Sequence, residues 1–172
     1  MARIGIIGSA GRMGAALIEA IAAAGAVPAG GVDQGGDLAA LAAVSDVLVD
    51  FSSPAALEAN LAAAMAAGVP IVVGTTGLEE RHHWLCDAAA DKIAVLQTGN
   101  TSLGVTLLAH LVREAAERLG EDWDIEVAET HHRMKVDAPS GTALLLGEAA
   151  AQGRKADLAH FSRSSDPVAP AR

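Results

Sequence analysis

The chain has 172 residues, 51% hydrophobic and 19% charged, enough to build a core and suited to one domain or one domain plus part of a second. A formal charge of −9 excludes a general nucleic-acid binder, whose phosphate contacts need clustered Lys and Arg, although a local positive pocket can still take an anion. The single cysteine, Cys86, excludes an intrachain disulfide, and no apolar run reaches the ~20 residues of a membrane helix.

Strands and helices alternate from the start. Residues 3–8 read as a short buried-type strand, 13–24 as a helix closed by Gly25, and 27–33 as a second strand. A short helix at 38–43 leads into a strand at 47–50. Pro54 suits a first helical turn, Ser52 or Ser53 can cap it, and that helix runs to Ala67 before Gly68. A strand at 70–74, a helix at 79–90 and a strand at 93–96 follow. Short apolar strands separated by helices predict a parallel sheet covered on both faces: an α/β, Rossmann-type doubly wound fold. With only 2% aromatic residues and no Tyr, its core must rest on Ala, Val, Leu and Ile. Cys86, in an expected helix, reads as a buried or half-buried, unreactive thiol.

A longer helix is expected over 103–119, with Leu107, Leu108, Leu111, Val112 and Ala115 at helical spacing as a core face. His110 within it reads as structural or exposed. Ile125 and Val127 alternate with Glu126 and Ala128, the pattern of a half-buried strand. A last helix covers 142–151, and the tail from Gly153 is polar. The N-terminus enters a glycine-containing strand with no long apolar segment, so no signal peptide is read and a cytoplasmic, reducing location is expected.

Gly8-Ser9-Ala10-Gly11-Arg12-Met13-Gly14 joins the first strand to the first helix. Glycines there allow a tight turn and close approach to a pyrophosphate, which faces the free N–H groups of the helix start. Glycines also serve ordinary turns, but the strand–turn–helix context is the one a dinucleotide site requires. Asp33 ends the second strand, where an acid can accept hydrogen bonds from ribose hydroxyls and repel a 2′-phosphate; its plainer role is a turn residue. Gly74, Thr75 and Thr76, and Thr98, Gly99, Asn100 and Thr101, follow the ends of later strands, the edge where open parallel sheets bind ligands. They serve equally as turns and caps.

The run from Glu129 to Ala143 combines His131, His132, Arg133 and Lys135 with a Pro139-Ser140-Gly141-Thr142 helix start. Neighbouring residues in a strand face opposite ways, and no CxxC or HExxH partner is present, so metal binding is not expected. A solvated basic loop is the plain alternative. The stronger reading is acid–base chemistry by histidine and lysine beside N–H groups suited to a carboxylate.

The E-x-H-H-x-x-K-x-D-A-P-S-G-T-A run, with G-x-x-G-R-M-G near the N-terminus, resembles the 4-hydroxy-tetrahydrodipicolinate reductase (dihydrodipicolinate reductase) family of diaminopimelate and lysine biosynthesis. The resemblance implies a dinucleotide-binding Rossmann domain at 1–102 and a partial α+β substrate-binding domain at 103–172. It implies hydride transfer from NADH or NADPH to a ring carbon of a cyclic dicarboxylate, then protonation of the resulting enamine. By motif position it makes His131 the proton donor/acceptor and Lys135 a second donor. His132, Gly141 and Thr142 would hold substrate. Gly8, Ser9, Ala10, Gly11, Arg12, Met13, Asp33, Gly74, Thr75, Thr76, Thr98, Gly99, Asn100 and Thr101 would line the cofactor. Gln34 stands where many members carry a basic residue, which favours NADH. The family also implies a homotetramer and further strands after the last helix, which this sequence does not contain; the substrate domain is therefore expected to be incomplete. A different two-domain Rossmann dehydrogenase and a non-catalytic dinucleotide-binding fragment are the other readings.

Overall fold

The computed structural model describes residues 1–131, 133 and 139–160. The chain divides into two compact units, Met1–Gly99 and Asn100–Arg172.

The first unit is built on five parallel strands: β1 (Arg3–Ile7), β2 (Val27–Val32), β3 (Val47–Asp50), β4 (Ile71–Val73) and β5 (Val95–Gln97), in the order β2-β1-β3-β4-β5. The connections reverse between β1 and β3. Right-handed crossovers therefore place α1 (Arg12–Ala23) on one face and α2 (Leu38–Val44), α3 (Leu57–Ala67) and α4 (Glu80–Ala90) on the other. The expected doubly wound α/β sheet is present. The expected helix from Pro54 begins as a 3-10 turn, Pro54–Ala56, before α3.

The core lies on the side of α2, α3 and α4. Ile7, Leu48, Ile71 and Val73 from the strands meet Leu41, Leu57, Leu61, Ala64, Cys86 and Ala89 from the helices. These are the small and branched residues that the shortage of aromatics predicted. On the opposite face the register aligns Ile6, Val49, Val72 and Leu96 in one row. Ile6 is 1% exposed and Leu96 59%, so cover on that face thins toward β5. Trp84, on α4, is 64% exposed.

The second unit packs α5 (Leu103–Leu119) against α6 (Gly141–Gly153), followed by a 3-10 turn at Leu158–His160. Its buried apolar side chains among the described residues are Ala116, Ala149, Ala150 and Ala151, with Gly153 tight against the Arg113 backbone and Ala116. This corrects the expected core face of α5. Leu107, Leu108 and Leu111 are half exposed, Val112 is partly buried and Ala115 is exposed, because α6 covers the neighbouring stripe through Ala116 instead. The strand expected at Ile125–Ala128 is also absent. Residues 124–131 make no backbone-to-backbone hydrogen bond among the described residues, and Ile125 and Val127 are exposed. A strand forms only where another strand accepts its hydrogen bonds. Trp123 is 60% exposed, and its carbonyl accepts a hydrogen bond from Arg154.

Candidate active site

β1 runs directly into the glycine turn. Gly8 has φ +86°, and a Cβ there would lie 2.6 Å from the Phe51 carbonyl oxygen. Its N–H donates to the Val32 carbonyl at 2.8 Å, tying the turn to β2. Gly14, buried in the first turn of α1, leaves no room either: a Cβ would sit 2.3 Å from the Ser9 carbonyl oxygen. The turn therefore folds back against the helix, bringing backbone rather than side chains to its rim.

Gly11 caps α1 without any side-chain hydrogen bond. By contrast Asp37, Ser102 and Ser140 cap α2, α5 and α6 with side-chain oxygens. The opening N–H groups of α1 meet no side-chain acceptor among the described residues, and Arg12 and Met13 at its start are exposed. Asp33 borders the same turn. Its Oδ2 accepts from Ser9 Oγ at 2.7 Å and from the Ala10 N–H at 2.9 Å, and Oδ1 makes no hydrogen bond among the described residues. A backbone cradle, an uncapped helix start and a carboxylate oxygen at the rim fit the pyrophosphate and ribose of a dinucleotide.

Along the same sheet edge stands a group the sequence reading missed. Asp50, the last residue of β3, is fully buried. Its Oδ1 accepts from the Ser52 N–H at 2.9 Å, Ser52 Oγ at 2.6 Å and Thr75 Oγ1 at 3.2 Å, while Oδ2 accepts from Asn60 Nδ2 at 2.8 Å. One carboxylate joins the loop after β3, the loop after β4 and helix α3. Of the expected residues, Gly74 and Thr75 are buried here and Thr76 is exposed. The Thr98 N–H donates to the Val73 carbonyl at 2.9 Å, closing the end of β5, and Gly99 is exposed. In the second unit Thr101 is exposed. Asn100 accepts from the Ser102 N–H at 2.9 Å and donates to Thr106 Oγ1 at 3.2 Å, bracing the start of α5.

The second unit gathers the other chemistry. Ser140 caps α6 by accepting from the Ala143 N–H at 3.1 Å, and Gly141 and Thr142 begin the helix exposed. His131 Nε2 lies 2.8 Å from Glu129 Oε2, and the Ser140 N–H donates to Glu129 Oε1 at 2.7 Å. The Ser140 hydroxyl also donates to Glu129 Oε2. These bonds, the Ser140 hydroxyl foremost and then His131, pull the Glu129 carboxyl down to about 2. The structure thus brings His131 together with the α6 start; His132 and Lys135 lie outside the described residues. The sequence signal for Glu129 was its place two residues before His131. For Asp50 it was an acid closing an apolar strand.

Other candidates carry less. Cys86 is buried, and burial pushes its thiol up from its ordinary value, as expected of an inert thiol. An open groove of about 680 Å³ along α5 and the end of α6 is lined by His110, Arg113, Glu117, Arg118 and Lys155 among others. It contains no residue expected to do chemistry. Among the described residues no helix is long and apolar enough to cross a membrane.

Residues 2–101 match the family model for the N-terminus of dihydrodipicolinate reductase, and residues 104–169 match the model for its C-terminus. A 4-hydroxy-tetrahydrodipicolinate reductase from Zymomonas mobilis is 54% identical over 159 residues, covering 88% of this chain and 63% of that protein. One from Rhodopseudomonas palustris (strain BisA53) is 45% identical over 195 residues, covering 99% of this chain and 71% of its own. This chain therefore spans about two thirds of the length of these relatives. A solved dihydrodipicolinate reductase from Paenisporosarcina sp. TG-14, with dipicolinate bound, shares the fold: TM-score 0.66 at 20% identity, covering 99% of this chain and 72% of that one.

Proposed function

Because the chain belongs to the dihydrodipicolinate reductase family, we propose that it binds NADH or NADPH and reduces 4-hydroxy-tetrahydrodipicolinate to tetrahydrodipicolinate, a cytoplasmic step of diaminopimelate and lysine biosynthesis. The observation that carries this reading beyond membership lies within the second unit: His131 is linked through Glu129 and Ser140 to the exposed start of α6. An acid beside a backbone anion cradle suits a carboxylated substrate whose reduced form must take up a proton.

The bound nicotinamide supplies the hydride. The turn from Gly8 to Met13 and the start of α1 hold the pyrophosphate, and Asp33 accepts from the ribose. Gly74, Thr75, Thr76, Thr98, Gly99, Asn100 and Thr101 line the nicotinamide end. The N–H groups of Gly141 and Thr142, with His132, hold a substrate carboxylate. His131 gives its proton to the enamine carbon, and Lys135 stands as second donor. Asp33 followed by uncharged Gln34 favours NADH.

Three measurements test this. NADH oxidation should follow addition of freshly generated substrate. In an active chain, His131→Ala and Lys135→Ala should each lower turnover by roughly 10²–10⁴ while NADH affinity holds; near-normal turnover in either would reject that residue's role. By fluorescence titration NADH should bind at least as tightly as NADPH, and NADPH tighter by about tenfold, ~1.4 kcal/mol, would overturn the preference. The backbone of residues 124–131, which makes no backbone-to-backbone hydrogen bond among the described residues, supports a second reading, a dinucleotide-binding chain without turnover. It predicts NADH binding with no oxidation and, by light scattering, no tetramer.

A further inference from the structure

Three groups converge on the two oxygens of Glu129: the Ser140 N–H donates to Oε1, the Ser140 hydroxyl donates to Oε2, and the His131 ring Nε2 lies 2.8 Å from Oε2. An ionised carboxylate can accept from all three, whereas an amide offers one acceptor oxygen and adds donors of its own. The Ser140 hydroxyl spends its proton on Glu129 and its lone pair on the Ala143 N–H, so the chain of bonds runs from the ring of His131 into the first turn of α6. With its carboxyl held down to about 2, Glu129 stays ionised at any pH near neutrality, and a ring nitrogen 2.8 Å from an ionised carboxylate oxygen carries its hydrogen. The tautomer of neutral His131 is thereby fixed at Nε2–H.

We infer that Glu129 is a positioning residue for proton transfer: it locks the His131 ring with Nε2 bound to the carboxylate, leaves Nδ1 as the nitrogen that exchanges the proton with substrate, and through Ser140 sets the α6 start to the same frame. The inference rests on the reading of His131 as the proton donor. In the step, the Nδ1–H bond of the imidazolium breaks and its proton bonds to the enamine carbon. The ring keeps the electron pair on Nδ1 and remains bound to Glu129 through Nε2–H. The donor returns to its neutral form without turning, and the carboxylate neither gains nor loses a proton.

The test uses the full chain labelled with ¹⁵N-histidine, with Glu129→Gln, Glu129→Asp and Ser140→Ala. Ring-nitrogen spectra of the parent above neutral pH should show His131 as a single Nε2–H tautomer. Glu129→Gln should mix or reverse the tautomers and shift the Gly141, Thr142 and Ala143 amides. Glu129→Asp, a methylene too short, should not restore either. Ser140→Ala should shift the α6 amides yet keep His131 at Nε2–H, which separates orientation of the ring from general loosening. Dipicolinate, as a substrate-like probe, should bind Glu129→Gln at least tenfold more weakly, with NADH affinity unchanged. Unmoved His131 signals in Glu129→Gln, or a tautomer lost equally in Ser140→Ala, would overturn the inference. A parent chain that ignores dipicolinate but loses the His131 tautomer in Glu129→Gln would reject the substrate reading while supporting the role of Glu129.

Discussion

Gly14 shows how little room a single residue has at the nucleotide end. A methyl group there meets the Ser9 and Gly8 carbonyl oxygens at 2.3 and 2.5 Å, and those atoms are backbone, which cannot step aside cheaply. Gly14→Ala should destabilise the first unit by roughly 1–3 kcal/mol, the usual cost of overpacking, and weaken NADH binding as well. Urea unfolding and NADH titration both at parent values would show that the turn is looser than this. This residue was legible in the sequence, because the three glycines, the strand before them and the helix after them are neighbours in the chain. Glu129 was not legible in the same way. Its role depends on Ser140, eleven residues on, and on which way two side chains turn. Its carboxyl is held at about 2 against an ordinary 4.5. A depressed folded pKa means that the bonds contribute fully above 4.5 and are lost as pH falls toward about 2. The ¹³C signal of the Glu129 carboxyl should therefore titrate near 2, and a midpoint at the ordinary value would show that the three bonds do not form.

At the scale of elements, Asp50 does what a longer loop or a cap would otherwise have to do. It ties the ends of β3 and β4 to α3 with four hydrogen bonds. Asp50→Ala strands several buried donors at about 1–3 kcal/mol each, and should cost more than Asn60→Ala, which removes one donor and its packing. Equal and small losses, within about 0.5 kcal/mol, would mean that water replaces the carboxylate at no cost. The sequence marked Asp50 only as the end of a strand, since its partners come from Ser52, Asn60 and Thr75. The alternation of Ile125 and Val127, and the leucine stripe of α5, show the other limit of sequence reading. Periodicity says which residues share a face, but not whether anything lies against it. The amides of Ile125 and Val127 should exchange with solvent almost as fast as in an open chain; strong protection would mean that the segment finds a partner strand.

For the whole molecule, the two units differ in what holds them. The first has a continuous core of leucine, isoleucine, valine and alanine under three helices. The second buries mainly alanines between α5 and α6 and leaves Leu107, Leu108 and Leu111 half exposed. Burial of apolar area scales with stability, so urea should unfold the second unit first, giving two transitions instead of one; a single transition seen alike from both units would show that they melt together. The absence of tyrosine makes that experiment simple. Almost all near-ultraviolet absorption and emission of this chain must come from two indoles, Trp84 in the first unit and Trp123 in the second. Replacing either by phenylalanine leaves a protein with one lamp, so each half can be watched alone without attaching a dye. Because reduced nicotinamide absorbs where indole emits, the same two lamps can report which half a bound cofactor lies nearer.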